Sequence, residues 1–150
     1  MNHPPVKVKL KENAPSYSSR PFDTPVHLRK FLENELKNCL DAGILEKCRT
    51  EPSQWSSKAF PVLKGSGVGA RIFADFKKLN KAIERPTWPT ESSSQFLCHI
   101  SQNSKYFVSL DLTSGYHQVR VDVESQDLLC ITTLTGRYIY TVLGQRITSS

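Results

Sequence analysis

The chain has 150 residues, a net charge of +6, 38% hydrophobic and 23% charged residues. That is one domain's worth of chain with an ordinary soluble composition. No apolar run approaches the ~20 residues needed to span a bilayer, and Met1 is followed by Asn2-His3-Pro4-Pro5 rather than an apolar signal segment, so a cytosolic or nuclear setting is expected. The charge is uneven: residues 1–50 carry 9 basic and 6 acidic side chains, 51–100 carry 7 and 4, and 101–150 carry 4 and 4. An excess in the first two thirds suits a polyanionic partner; a solvated basic surface is the plainer reading. Cys39, Cys48, Cys98 and Cys130 have neither C-x-x-C nor finger spacing, which points to reduced, mostly buried thiols rather than a zinc site.

In chain order, residues 1–24 hold four prolines and little apolar periodicity, and read as an extended arm or linker. Thr24 offers an N-cap and Pro25 an N1 residue. Val26, Leu28, Phe31, Leu32, Leu36 and Leu40 then recur at helical spacing. Gly43 offers the stop, so the spacing predicts a helix over 25–42. Ala59 to Leu63 and Arg71 to Ala74 flank a glycine-rich turn and predict a β-hairpin. That turn lacks both the spacing and the following helix of a dinucleotide loop. Residues 83–92 are expected to be irregular, and a helix is expected near Ser93 to Gln102 with Phe96, Leu97 and Ile100 buried. Strands are predicted at 106–111 and near 117–123, separated by a turn through Gly115. Two more, 128–133 and 137–143, are joined across Thr135-Gly136.

Chemistry concentrates after residue 105. In the predicted strand Tyr106, Val108 and Leu110 share one face, and Phe107, Ser109 and Asp111 the other. Asp111 would thus stand on an open sheet face, where a hard cation could find it; a turn-capping Asp is the alternative. Lys64 and Arg71, paired across the hairpin, could both point at a triphosphate, a target suited to an ammonium and a forked guanidinium. A solvated edge-strand lysine is the alternative for Lys64, and a core tyrosine for Tyr116.

Five blocks in order carry a family resemblance: Ala42-Gly43-Ile44-Leu45, Trp55-Ser56-Ser57, Arg71 to Asn80 (Arg-Ile-Phe-Ala-Asp-Phe-Lys-Lys-Leu-Asn), Ser109 to Gln118 (Ser-Leu-Asp-Leu-Thr-Ser-Gly-Tyr-His-Gln) and Thr141-Val142-Leu143-Gly144-Gln145. From about Pro25 onward the chain resembles the reverse transcriptases of Ty3/Gypsy-type retrotransposons and retroviruses. The resemblance implies an α+β fold over 25–150, the fingers and first part of the palm of a right-hand polymerase, with an antiparallel sheet and packed helices. It implies an RNA-directed DNA polymerase, a nucleotidyltransferase working on an RNA or DNA template-primer with deoxynucleoside triphosphates and two Mg²⁺ ions.

By the same resemblance Asp111 is a catalytic, metal-holding carboxylate and the Leu112 carbonyl faces the second ion. The Ser114 and Gly115 amides face the triphosphate. Tyr116 is the gate that leaves no room for a 2′-hydroxyl. Lys64 and Arg71 bind the phosphates, and Gln145 touches the nucleotide sugar and the template region. Asp75 reads as structural, and His117 and Gln118 as strand-start packing residues. Two departures stand out. The loop after Lys64 reads Gly-Ser-Gly-Val-Gly where the family carries more basic residues and an Asp-Gly. Gln145 is flanked by Gly144 and Arg146 where the family has Pro and Gly. If Arg146 must take a positive φ, it costs roughly 1–2 kcal/mol.

The family's second carboxylate motif, Tyr-x-Asp-Asp, does not occur, and no two acidic residues are adjacent anywhere in the chain. The expectation is therefore a truncated or decayed copy lacking the rest of the palm and the thumb, and inactive alone. A non-catalytic nucleic-acid-binding remnant and a pseudogene product are the alternatives.

Overall fold

In a computed structural model the described residues are 4–48, 54–65, 69–85, 92–100 and 105–147. Helix α1 (Val26–Asp41) opens the body, followed by strands β1 (Leu45–Lys47), β2 (Ser57–Leu63) and β3 (Ala70–Ala74). Short helices α2 (Lys77–Ala82) and α3 (Ser93–Cys98) come next. A 3-10 helix (Gly115–Gln118), helix α4 (Val123–Gln126), a second 3-10 turn (Asp127–Leu129) and strands β4 (Cys130–Thr133) and β5 (Gly136–Tyr140) complete the order. The fold is α+β, as expected.

The five strands form one sheet in the order β1-β5-β4-β2-β3. All neighbours are antiparallel except β2 and β4, which pair in parallel only through Ser57 and Lys58. Beyond that point β2 has a single neighbour among the described residues, which explains how Pro61, with no N–H to donate, sits within a strand. Leu79, Ile83, Leu129, Ile131, Leu45 and Ile147 are the apolar heart, each at most 2% exposed.

Helix α1 lies within a residue of its expected bounds, and its end is a Schellman motif. The Gly43 N–H donates to the Leu40 carbonyl at 3.0 Å and the Ile44 N–H to that of Cys39 at 2.9 Å. Gly43 itself is at φ +65°, where a Cβ would clash with its own carbonyl. The start differs from expectation. Pro25, not Thr24, is the N-cap, with no side-chain bond; the Thr24 hydroxyl is turned inward, 1% exposed, and donates to the Phe22 carbonyl. Leu32 and Leu36 are buried, whereas Val26, in the first turn, is 76% exposed.

The residues 4–24 arm is extended and laid along the body. Val6 bridges to Val121, Leu10 to Ile83 and Ser18 to Ser56; the Val8 N–H donates to Ser125 Oγ at 2.9 Å, and Lys7 pairs with Glu124 at 2.8 Å. Val8 is 5% exposed, so the arm contributes to the core.

Three further expectations are corrected. Residues 105–112 form no strand: a strand exists only as part of a ladder, and among the described residues nothing pairs with them. The predicted strand over 117–123 is a 3-10 helix to Gln118, a bridge of Arg120 to Val142, then α4. Helix α3 forms, with a Ser92–Gln95 capping box, but Phe96 and Leu97 are 62% and 63% exposed, so the anticipated buried stripe is uncovered. The predicted tail of that helix, 101–102, and part of the irregular 83–92 segment, 86–91, lie outside the described residues. The four cysteines are not mostly buried as anticipated: Cys130 is buried, Cys39 and Cys48 are half-buried and Cys98 is exposed.

Candidate nucleotide cleft and its surroundings

The β2–β3 hairpin fixes the first two candidate residues. Val62 pairs with Arg71 and Leu63 with Ala70. The Lys64 N–H closes the turn on the Gly69 carbonyl at 3.0 Å, and its side chain folds back over Gly69. The hairpin packs on α1, so Lys64 and Arg71 open into a cleft of about 510 Å³ walled by Glu35, Asn38 and Cys39.

Two more candidates reach the same cleft from elsewhere in the chain. Ser114 lines it, held at φ +52° by a tight turn. The His117 N–H donates to the Ser114 carbonyl at 2.9 Å, and the Gln118 amide reaches back to the Thr113 carbonyl at 2.9 Å. Gln145 lines it too. Its segment is anchored by the Leu143 N–H on the Val119 carbonyl at 2.8 Å and by Gly144. A Cβ on Gly144 would stand 3.0 Å from Phe76 Cε2 and 3.1 Å from Ile147 Cδ1, and both residues are only 2% exposed, so no larger residue fits without moving the core. Lys64, Arg71, Ser114 and Gln145 thus converge on one concavity: two cations, a hydroxyl and an amide.

Asp111, Leu112, Gly115 and Tyr116 do not line that cleft. Tyr116 is 46% exposed, in the 3-10 helix, and Leu112 is 62% exposed. Asp111 is exposed in the unpaired segment. Among the described residues no three His, Cys, Asp or Glu side chains are grouped to hold a metal ion. One carboxylate and one carbonyl do not make a two-ion clamp, so the residues present do not fit the magnesium pair by themselves.

His117 lines the cleft rather than starting a strand. Burial depresses its pKa below the ordinary 6.5, with Glu35 opposing weakly, so it is neutral at physiological pH. Burial, reinforced by Glu35 and opposed by Lys64, pushes the Cys39 thiol up to about 11, so it stays protonated. The cleft's fixed charges are therefore those of Lys64, Arg71 and Glu35. Asp75 is structural in geometry: its backbone N–H donates to the Lys58 carbonyl at 2.9 Å and Oδ1 accepts from the Lys77 N–H at 3.3 Å.

A cluster of aromatic rings is not apparent from the sequence. Phe60 and Phe73 are direct partners in the hairpin register and stack with centroids 6.4 Å apart. Phe22 from the arm adds a third ring at 5.6 Å from Phe60. The rings line a second cleft of about 380 Å³ together with Lys58, Lys77 and Arg146. The hairpin register alone pairs Phe60 with Phe73; the arrival of Phe22 depends on how the arm docks.

Solved structures of the foamy virus protease-reverse transcriptase share this fold. The one in complex with an RNA/DNA hybrid superposes with a TM-score of 0.79 at 20% identity, over 97% of this chain and 19% of that one. The fold is that of the reverse transcriptases. By sequence, the chain is 30% identical over 139 residues to the retrovirus-related Pol polyprotein from transposon opus of Drosophila melanogaster, covering 89% of this chain and 13% of the relative. It is 27% identical over 142 residues to the Gag-Pol polyprotein of Walleye dermal sarcoma virus, covering 95% and 8%. No protein-family model matches. The chain is homologous to a segment of the Gypsy-type and retroviral Pol polyproteins, about a tenth of their length.

Proposed function

We propose that residues 25–150 are the fingers and first part of the palm of an RNA-directed DNA polymerase, preceded by the arm of residues 1–24, and that the cleft between α1 and the β2–β3 hairpin holds the triphosphate of an incoming deoxynucleotide. The observation that carries this reading is the convergence of Lys64, Arg71, Ser114 and Gln145, far apart in sequence, on one cavity. An ammonium, a forked guanidinium and a hydroxyl suit a polyphosphate, and Gln145 offers an amide to a sugar. Ser114 and Gly115 offer backbone N–H groups nearby, and Tyr116, exposed beside them, is the sugar gate.

Asp111 and the Leu112 carbonyl are this chain's contribution to Mg²⁺ binding, an incomplete one. When bound, the metal pair would stabilise charge on the reacting phosphoryl group; the residues in hand bind and orient the nucleotide. The 150 residues alone therefore do not extend a primer. The exposed run Tyr106, Phe107, Val108 and Leu110 is apolar surface that the remainder of a palm would cover. Template-primer, RNA or DNA, is the macromolecular partner. The foamy virus enzyme solved with an RNA/DNA hybrid supports this by likeness of fold, and the net charge of +6 supports it by complementarity.

The test grafts residues 1–150 onto a compatible downstream palm and thumb and measures single-nucleotide incorporation. Asp111→Ala is expected to abolish synthesis, and Tyr116→Val to relax discrimination against ribonucleotides. An active chimera whose sugar preference ignores Tyr116→Val would overturn the gate assignment. A second reading, a nucleic-acid-binding remnant without catalysis, has one observation in its favour: the absence of a metal-holding cluster among the described residues. Magnesium-dependent synthesis by the chimera, abolished in Asp111→Ala, would exclude it.

A further inference from the structure

Helix α2 carries lysines into two different cavities. Lys77 belongs to the aromatic cleft. Lys78 and Lys81, three residues apart and so on one helical face, line another cavity of about 570 Å³ with Lys11 and Tyr17 of the arm. This second surface is built, not incidental. The Lys11 N–H donates to the Ala82 carbonyl at 2.8 Å and the Glu84 N–H to that of Lys9 at 2.9 Å, so the arm runs against the end of α2 as a short ladder. The arm then turns, the Ala14 N–H donating to the Lys11 carbonyl at 3.3 Å, with Asn13 in the left-handed region at φ +57°. That turn brings Tyr17 back toward the helix, where the Tyr17 carbonyl is fixed by the Ser56 N–H at 2.8 Å. Lys78 Nζ lies 5.8 Å from the Tyr17 ring centre, and Lys11 Nζ donates to the Lys81 carbonyl at 3.0 Å.

The chemistry of this pocket is cationic. Its lining holds three lysines against one acid, Glu12, and all four are exposed. Among the described residues none of the three lysines is in an ion pair, whereas Lys7 and Lys58 both are. Holding three ammonium groups in one concavity costs mutual repulsion that a polyanion would relieve. Tyr17, 36% exposed, adds a ring on which an unpaired base can stack. Cations tracking a backbone beside an aromatic platform are what single-stranded nucleic acid requires.

We infer that the Lys11–Tyr17–Lys78–Lys81 pocket is a contact site for a single-stranded nucleic acid, which crosses α2 between this pocket and the aromatic cleft of Phe60, Phe73, Lys77 and Arg146. The lysines take phosphates and Tyr17 takes a base. The inference deepens the polymerase reading, on which the identification of that strand as template rests. The surface is distinct from the nucleotide cleft and shares no lining residue with it.

The test is fluorescence polarisation of the full 150-residue chain with a labelled single-stranded oligodeoxythymidine, titrated across salt. The variant is Lys11→Glu/Lys78→Glu/Lys81→Glu. The control is Lys30→Glu/Lys37→Glu/Lys47→Glu, which changes net charge equally on exposed residues of α1 and β1. Circular dichroism checks the fold, and the corresponding Lys→Gln triple replaces the reversal if that alters it. The pocket triple is expected to bind about tenfold more weakly at low salt. It should also reduce the slope of log K on log salt by about 2, since each phosphate neutralised on a single strand contributes ~0.7 to that slope. The control should weaken less and keep its slope. Equal weakening in both triples, or none in the pocket triple, would overturn the inference. A wild-type chain that does not bind the oligonucleotide at all would overturn both the inference and the nucleic-acid partner proposed above. A pocket effect alongside a nucleotide cleft that ignores triphosphate would overturn the polymerase reading alone.

Discussion

The guanidinium of Arg146 lies over the Phe73 ring, 5.0 Å from its centroid, while the Arg146 backbone sits at φ +69°. An arginine in this place pays a steric cost if φ is positive, and φ is positive. Two interactions offset the cost: the ring beneath the guanidinium, and the Asn80 side-chain amide donating to the Arg146 carbonyl at 2.8 Å. Arg146→Gly relieves roughly 1–2 kcal/mol of backbone strain and forfeits about 0.5–1 kcal/mol of cation–π attraction. Urea denaturation should find Arg146→Gly neutral to slightly stabilised. Arg146→Ala keeps the strain, removes the attraction, and should fall below wild type by about 0.5–1 kcal/mol.

Leucines in the unpaired 105–112 segment and in the core should respond differently to substitution. Leu110 is 91% exposed and Leu79 1%. Leu79→Ala should cost about 2–5 kcal/mol through reduced burial and the cavity left behind. Leu110→Ser should change stability by less than ~0.5 kcal/mol while raising solubility, because it removes exposed apolar surface. Chemical denaturation and the concentration at which light scattering sets in measure the two effects.

Much of this fold is legible in the chain. The helix ending at Gly43, the β2–β3 hairpin and the β4–β5 hairpin follow from local periodicity and turn chemistry, and each of those elements closes its own hydrogen bonds. The 106–111 segment is no strand, although Tyr106, Val108 and Leu110 alternate along it, because no partner strand exists among the described residues. Helix α3 shows the same split: the Ser92–Gln95 cap is local and present, whereas the burial of Phe96 and Leu97 requires a neighbour. In the candidate site, hairpin logic suffices to pair Lys64 with Arg71. The approach of Ser114 and Gln145, and of Phe22 to Phe60, depends on contacts long-range in sequence that no local pattern encodes.

His117 gives the cleft a pH dependence. Its pKa in the folded chain is lowered from 6.5 by burial, so the unfolded chain binds the proton more readily. The stabilising difference is fully present above pH 6.5, the unfolded value, and is lost as pH falls toward and through the depressed folded value. Stability measured by denaturant titration should therefore decline on acidification below about pH 6.5, and His117→Gln should flatten that part of the profile. An unchanged slope in His117→Gln would place the acid sensitivity elsewhere.

Lys64, Arg71, Ser114 and Gln145 line one cleft, and titrating the ¹⁵N-labelled chain with a deoxynucleoside triphosphate tests most directly the proposal that this cleft binds polyphosphate. Saturable amide shifts are predicted at Lys64, Arg71, Ser114 and Gln145. Inorganic tripolyphosphate should compete, and Arg71→Ala should weaken affinity about tenfold, the order expected for one charge-assisted hydrogen bond. Shifts confined to other basic surfaces, or affinity unchanged in Arg71→Ala, would contradict the claim.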